Sequence, residues 1–313
     1  MIEMKKIPVI AVVGPTASGK SDLAIEICRK FNGEAVCADS MQIYKGMDIA
    51  TAKVTKEEMN GVKHHLIDFL DTSEQFSVAD FQKMAEDVII KINSEGKMPV
   101  VVGGTGLYID TLLDNIKLTD NSFDDDLRQK LMQRAQTEGA EALLEEVRSF
   151  DSEYAQKLHP NNVKRIVRAL ELWYSSGVTM TQQIELSKQN SPYDVCYIGL
   201  DAQNRDFLYD RINRRVDIML EKGLLEEAEA YLKKANSSTS AQAIGYKELK
   251  PYLDGEMPFE QAVENLKQST RRYAKRQLTW FRKNERINWL HIDNYSDKEA
   301  LYADAFKIIE KRK

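Results

Sequence analysis

The stretch "IPVIAVVGPTASGKSDLA", residues 7–24, constrains the fold more than any other part of the chain. Its opening run is continuous, apolar and rich in β-branched residues, the pattern of a parallel strand buried on both faces. Gly14, Pro15, Thr16, Ala17, Ser18, Gly19, Lys20 and Ser21 then match G-x-x-x-x-G-K-[ST] in full, and a helical pattern runs on to Phe31. Strand, glycine loop and helix together are the context a P-loop requires. In such a loop the backbone N–H groups and the helix N-terminus cradle phosphate oxygens, Lys20 adds a point charge, and the Ser21 hydroxyl is placed to hold Mg²⁺. The motif therefore predicts a phosphate chain as ligand. It leaves open whether that chain is broken, moved or discarded.

The rest of the chain predicts an α/β fold, a P-loop NTPase-like parallel sheet with an inserted helical lobe. A second strand, "EAVCA", ends at Asp39, and a third, "MPVVV", ends at Gly103 and Gly104. Between them Phe81, Met84, Ala85, Val88, Ile89 and Ile92 recur at helical spacing. This β-α-β alternation places ligands at the carboxyl ends of the strands, where Asp39 and "GGTG" both fall. From Asp120 to about Pro192 the strand signal vanishes and short helical patterns replace it. The division expected is a catalytic core of 1–119 with 193–313, and a lobe of 120–192. "YDVCYIGL" resumes the sheet, helices follow from Asn204 to Lys234, and "INWLHI" is a last strand.

Composition bounds the function. At 313 residues the chain exceeds the roughly 250–300 at which one core stops growing, so a second lobe is expected. Hydrophobic residues at 42% and charged ones at 30% belong to a globular protein. No run approaches the ~18 apolar residues of a membrane span, and the basic start passes directly into a strand, so a cytoplasmic address and no membrane partner are expected. Cys28, Cys37 and Cys196 lack metal or disulfide spacing and read as reduced filler. A net charge of −5 excludes a uniformly cationic coat but leaves room for a local one. In "STRRYAKRQLTWFRK", Tyr273, Ala274, Gln277, Leu278 and Phe281 share one helical side. Arg271, Arg272, Lys275, Arg276, Arg282 and Lys283 share the other, as a solvated face or a polyanion site nearly free of acidic partners. His64 and His65 read as packed or capped, and Trp173, Trp280 and Trp289 as core.

A nucleotide hydrolase would carry an acid after an apolar strand to complete its metal site, yet "MPVVV" runs into "GGTGLY" without one. Asp39 is the early strand-end carboxylate. It can act as a metal ligand, an N-cap or a general base for a nucleophile beside the phosphate chain.

Taken in order, "GPTASGKS", "DSMQIYKGMDIATAK", "HHLID", "VGGTGLY", "NVKRIVRALE", "AIGYKEL" and "TRRYAKRQLTWFR" resemble the bacterial tRNA dimethylallyltransferases of the tRNA isopentenyltransferase family, over roughly residues 7–290. The resemblance implies transfer of a dimethylallyl group from dimethylallyl diphosphate to N6 of the adenine just 3′ of the anticodon, with diphosphate leaving. It implies a tRNA anticodon stem-loop as partner and Mg²⁺ as cofactor; a monomer is expected. The P-loop, residues Gly14 to Ser21, would hold the leaving group, with Thr16 at its bridging region and Arg215, beside Arg211, clamping from one helix face. Asp39 would accept the N6 proton, and Thr105 would contact the nucleotide near the reacting amine. Ser40, Met41 and Gln42 would meet the base. Arg128, the segment Val163, Lys164, Arg165, Ile166, Val167, Arg168, then Gln242, Lys247, Arg271, Arg272, Lys275 and Arg276 would grip the RNA around an extruded base. The glycines of "GGTG" would let nucleotide and backbone approach. The neighbouring alternative is an adenylate isopentenyltransferase, which takes free adenine nucleotides.

Overall fold

The structure, a computed structural model, describes residues 6–116, 125–187, 190–234, 237 and 239–312. The expected start of the lobe at Asp120 lies outside the described residues. In chain order the elements begin with β1 (Ile7–Val13), α1 (Lys20–Phe31), β2 (Gly33–Cys37), β3 (His64–His65), α2 (Val78–Ser94), β4 (Met98–Gly103) and α3 (Gly106–Leu113). Five helices follow: α4 (Asp125–Thr137), α5 (Ala140–Phe150), α6 (Ser152–Gln156), α7 (Val163–Ser176) and α8 (Met180–Ser187). The sheet resumes with β5 (Tyr193–Asp201), then α9 (Arg205–Glu221), α10 (Leu224–Leu232), α11 (Tyr246–Leu253), α12 (Phe259–Phe281), β6 (Asn288–His291) and α13 (Lys298–Glu310).

Among the described residues the strands form one parallel sheet in the order β3-β2-β4-β1-β5-β6. Successive strand side chains face opposite ways, so the apolar runs feed two cores. Val9, Ala11, Val13, Val36 and Val101 join the core that includes Phe81, Ile89, Leu266 and Phe281. Ile10, Val12, Ala35, Val100 and Val102 join the other, with Leu23, Ile27, Leu301 and Ile309 of α1 and α13. Both faces are helix-covered, as a doubly wound sheet requires. β3 has only two residues and no hydrophobic run, so periodicity gave no sign of it. His64 and His65 are partnered, Nδ1 of the first with the Val62 carbonyl at 3.0 Å and Nε2 of the second with Glu34 at 2.6 Å. The cysteines are buried and free.

The chain divides into two compact units, Met1–Leu113 with Pro192–Lys313, and Asp114–Ser191. The second unit is all helical among its described residues and has its own core of Leu131, Leu143, Leu144, Val147, Ile166, Val167 and Leu170. Phe150 stacks on Trp173 at 4.6 Å, and Asp151 caps α6 while its carboxylate also receives the Thr181 hydroxyl at 2.6 Å. No helix among the described residues is long and apolar enough to cross a membrane.

Candidate active site

The strand order puts β4 between β1 and β2, so the loops after these three strands lie side by side at the sheet's carboxyl edge. That edge brings together the P-loop after β1, Asp39 after β2 and Gly103–Thr105 after β4. Gly14 begins the P-loop with φ 144°, and a Cβ there would sit 2.4 Å from the Leu200 carbonyl oxygen, so no other residue fits. Carbonyls of the loop are held by side chains. Pro15 O accepts from the Ser18 hydroxyl at 2.9 Å and from Lys20 Nζ at 2.6 Å, and Ala17 O accepts from Arg211 Nε at 2.8 Å. α1 starts at Lys20 without a side-chain cap, in contrast to α2, whose Ser77–Asp80 capping box satisfies its first turn. The first amides of α1 are thus left for an anion, where the helix dipole also favours negative charge.

The charges at the cradle are unbalanced. Burial, then the nearby Arg215 guanidinium, push the Lys20 ammonium down to about 7, and Asp39 only partly offsets them. Burial likewise lowers Arg215, which feels Asp39, Asp22, Glu58 and Arg211 but makes no ion pair with any described residue. Lys20 and Arg215 are thus two sheltered cations without an ion pair among the described residues. Such an arrangement is costly unless an anion completes it.

Of its expected roles, Asp39 fills the capping one. Its Oδ1 accepts from the Met41 N–H at 2.9 Å and the Gln42 N–H at 3.4 Å, which is a cap on the turn after β2. Its Oδ2 has no hydrogen-bond partner among the described residues, and its charge reaches Lys20, Arg215 and Tyr273. One oxygen holds the loop while the other has no such bond among the described residues. Thr105 lies alongside, its hydroxyl oxygen accepting from the Ser40 N–H at 3.1 Å.

A phosphate cradle with a carboxylate beside it can serve a nucleophile brought to the phosphate chain. A family model described as IPP transferase matches residues 42–284. The chain belongs to the IPP transferase family. It is similar to a protein named tRNA dimethylallyltransferase from Caldanaerobacter subterraneus, 46% identical over 307 residues covering 97% of this chain and 98% of that one. The Bacillus subtilis protein of the same name is 46% identical over 302 residues, 96% of each chain. A solved tRNA isopentenylpyrophosphate transferase from Bacillus halodurans superposes with a TM-score of 0.72 at 44% identity, covering 98% of both chains. A eukaryotic dimethylallyltransferase solved acting on tRNA gives 0.77 at 32% identity, covering 91% of this chain and 74% of that one.

In this IPP transferase several residues stand differently from their sequence reading. The glycines of "GGTG" make room for the protein itself. A Cβ on Gly103 would meet the Ala38 carbonyl oxygen at 2.1 Å, one on Gly104 the Gln277 amide at 2.1 Å, and one on Gly106 the Trp280 ring at 2.3 Å. Gln42 was expected at the adenine edge, yet its Nε2 donates to Thr51 O at 3.1 Å and its Oε1 receives the Cys37 thiol at 3.5 Å, so its amide is held within the protein. Met41 packs against the core. Arg211 donates its Nε to the P-loop backbone at Ala17, and Arg215 lies beside Lys20.

The cationic stripe on α12 is also uneven. Arg271 is paired with Glu264 at 2.7 Å and bonded to Asn213, and Arg282 is paired with Asp201 at 2.7 Å, so these two do not belong to a stripe free of acids. Arg272 and Lys275 are exposed and have no acidic partner among the described residues, and exposed Arg276 lies over the Tyr273 ring at 5.6 Å. Lys247 is exposed, 3.7 Å from Glu248, and Gln242 is exposed in a short 3₁₀ turn.

Within the helical unit, Ile166 and Val167 are fully buried in its core, which removes their side chains from RNA contact. Lys164 and Arg165 are exposed on the first turn of α7, with Val163 half-buried before them. Arg128 and Arg168 flank Glu171 at 3.6 Å and 3.4 Å, so both have an acidic neighbour that the sequence did not reveal.

A residue missed by the sequence reading is Gln277. It is 5% exposed, receives the Thr16 N–H at 2.8 Å and donates to the Gly104 carbonyl at 3.0 Å. A polar residue on the packing side of α12 was the available signal. For Mg²⁺, Ser21 offers a half-buried hydroxyl with no partner among the described residues, and these residues contain no cluster of three or more His, Cys, Asp or Glu that could hold a metal. That sparse donor set fits Mg²⁺, which keeps several waters and is held largely by substrate phosphates.

Proposed function

We propose that this IPP transferase moves the dimethylallyl group of dimethylallyl diphosphate to N6 of the adenine 3′-adjacent to the anticodon of tRNA, in the cytoplasm. The observation that carries the reading is the sheltered, unpaired Lys20 and Arg215 beside Asp39 at the P-loop. A diphosphate supplies the missing charge, and its bridging oxygen comes to lie near the Thr16 hydroxyl. The N6 lone pair forms the new bond to the allylic carbon as the C–O bond breaks, and that electron pair leaves on diphosphate. Asp39 Oδ2 takes the proton that N6 loses, while Oδ1 stays fixed by the turn. Thr105, locked to Ser40, is the contact for the nucleotide. Lys20, Arg215 and the first amides of α1 stabilise the growing charge on the leaving group, and electrostatic stabilisation of this kind usually dominates the rate gain in such catalysis. Mg²⁺, held by Ser21 and the diphosphate, would neutralise part of that charge.

An adenine N6 within an anticodon loop must be unstacked to reach a carboxylate, which calls for a grip on the surrounding phosphates. Arg272, Lys275 and Arg276 on α12, and Lys164 and Arg165 at the start of α7, are the exposed cations we assign to it. The test is nucleoside mass spectrometry after incubation with dimethylallyl diphosphate and Mg²⁺, with tRNA and ATP offered separately. Prenylated adenosine in tRNA supports the reading. Prenylated ATP would make the chain an adenylate isopentenyltransferase, and nucleotide hydrolysis without transfer would make it a switch.

A further inference from the structure

We propose that Gln277, with Tyr273 one turn before it on α12, is a positioning residue that fixes the spacing between the donor's cradle and the acceptor-side loop. This rests on the transfer reading above and adds a group which that reading does not use.

The carboxamide is buried and bonded at both its oxygen and its nitrogen. Its oxygen takes the N–H of Thr16, in the loop that would hold the leaving group, and its nitrogen gives a proton to the carbonyl of Gly104, next to Thr105. Both partners are backbone groups, so the bond pair fixes the course of two loops. Gln supplies one acceptor and one donor at this reach. A carboxylate cannot donate, and Leu or Met would leave a buried N–H and a buried C=O unpaired. Gly104 has no Cβ because Gln277 occupies that space. The Tyr273 hydroxyl lies beside Thr105 and Gln277, and the Asp39 charge acts on it. α12 is itself tied down, with Trp280 Nε1 donating to Asp110 Oδ2 at 2.7 Å on α3 and with Phe281 in the core. One helix therefore touches the loop of the donor and the loop of the acceptor, and holds both against a braced support.

Transfer needs the allylic carbon and N6 at near-attack distance, and a displacement of ~1 Å costs ~10²-fold in rate. Gln277→Met keeps the volume and removes both bonds. Tyr273→Phe keeps the ring and removes the hydroxyl. We expect Gln277→Met to lower the single-turnover rate by about 10²-fold, with donor KM and tRNA affinity within a few-fold of wild type. Tyr273→Phe should show a smaller loss of the same kind. Amide exchange at Thr16 reads the bond without any transfer, and it should accelerate in Gln277→Met. Single-turnover rates within twofold of an active wild type would overturn the inference. So would a rate loss matched by an equal loss of donor affinity, or a rate loss explained by a smaller folded fraction. If wild type transfers nothing, the function above fails, and unchanged Thr16 exchange then separately overturns the positioning role of Gln277. Should Gln277→Met not fold, Tyr273→Phe decides by the same comparison of rate against affinity.

Discussion

Titrating donor binding from about pH 6 to about pH 9 perturbs one group above all. In the free protein Lys20 titrates at about 7 rather than 10.5, because it is sheltered and lies next to Arg215. A bound diphosphate places negative charge on the ammonium and returns its pKa toward the ordinary value. The complex therefore holds a proton that the free protein releases above about pH 7. Affinity is complete below the free-state pKa and falls as pH rises through it, since binding must then recover the proton. At one pKa unit per factor of ten, the dissociation constant should rise about tenfold per pH unit between about pH 8 and 9. A phosphate's last proton is lost near ~6, so the ligand's own ionisation is complete in that window. Calorimetry of donor binding in buffers of different ionisation enthalpy counts the protons directly. Uptake should approach one per donor at about pH 8. Lys20→Met should bind more weakly at pH 7 and lose the slope. A pH-independent affinity with no proton uptake, or a slope that survives in Lys20→Met, would refute the assignment.

Asp39→Ala should lower single-turnover transfer by about 10²- to 10⁴-fold, the usual span for a general base, with tRNA binding in filter assays near wild type. An undiminished rate would return Asp39 to a capping role. Arg215→Ala should raise the donor's dissociation constant more than Arg211→Ala does, since Arg211 acts through the Ala17 carbonyl; calorimetry with diphosphate alone measures the ranking. Replacing Arg272 and Lys275 together with Ala should weaken tRNA binding and reduce its salt slope by about 1 to 2, leaving donor affinity unchanged.

The sheet and its ligand edge were legible in the sequence because buried parallel strands appear as apolar β-branched runs, and the P-loop fixes its own flanks. β3 was not, because two histidines carry no periodicity and the strand exists through its pairing with β2. The site residues that stand next to a motif, such as Lys20 and Asp39, could be located from local patterns. Roles that depend on distant partners could not. Arg211 meets the P-loop across 194 positions and Gln277 meets Thr16 across 261, so helical phase placed both on a face without naming what that face touches. The same limit hid Glu264 beneath Arg271 and Glu171 between Arg128 and Arg168. The "GGTG" glycines show it from the other side, since their small size answers to Ala38, Gln277 and Trp280.

The central claim is that the phosphate chain in the cradle departs intact as a leaving group while its organic part goes to adenine. Counting products in one reaction tests it most directly, with dimethylallyl diphosphate labelled in both the allyl group and the terminal phosphate. Equal amounts of intact diphosphate and of N6-dimethylallyl adenosine at the base 3′ of the anticodon are the predicted result. Orthophosphate in place of diphosphate, or diphosphate release without prenyl on tRNA, would contradict it.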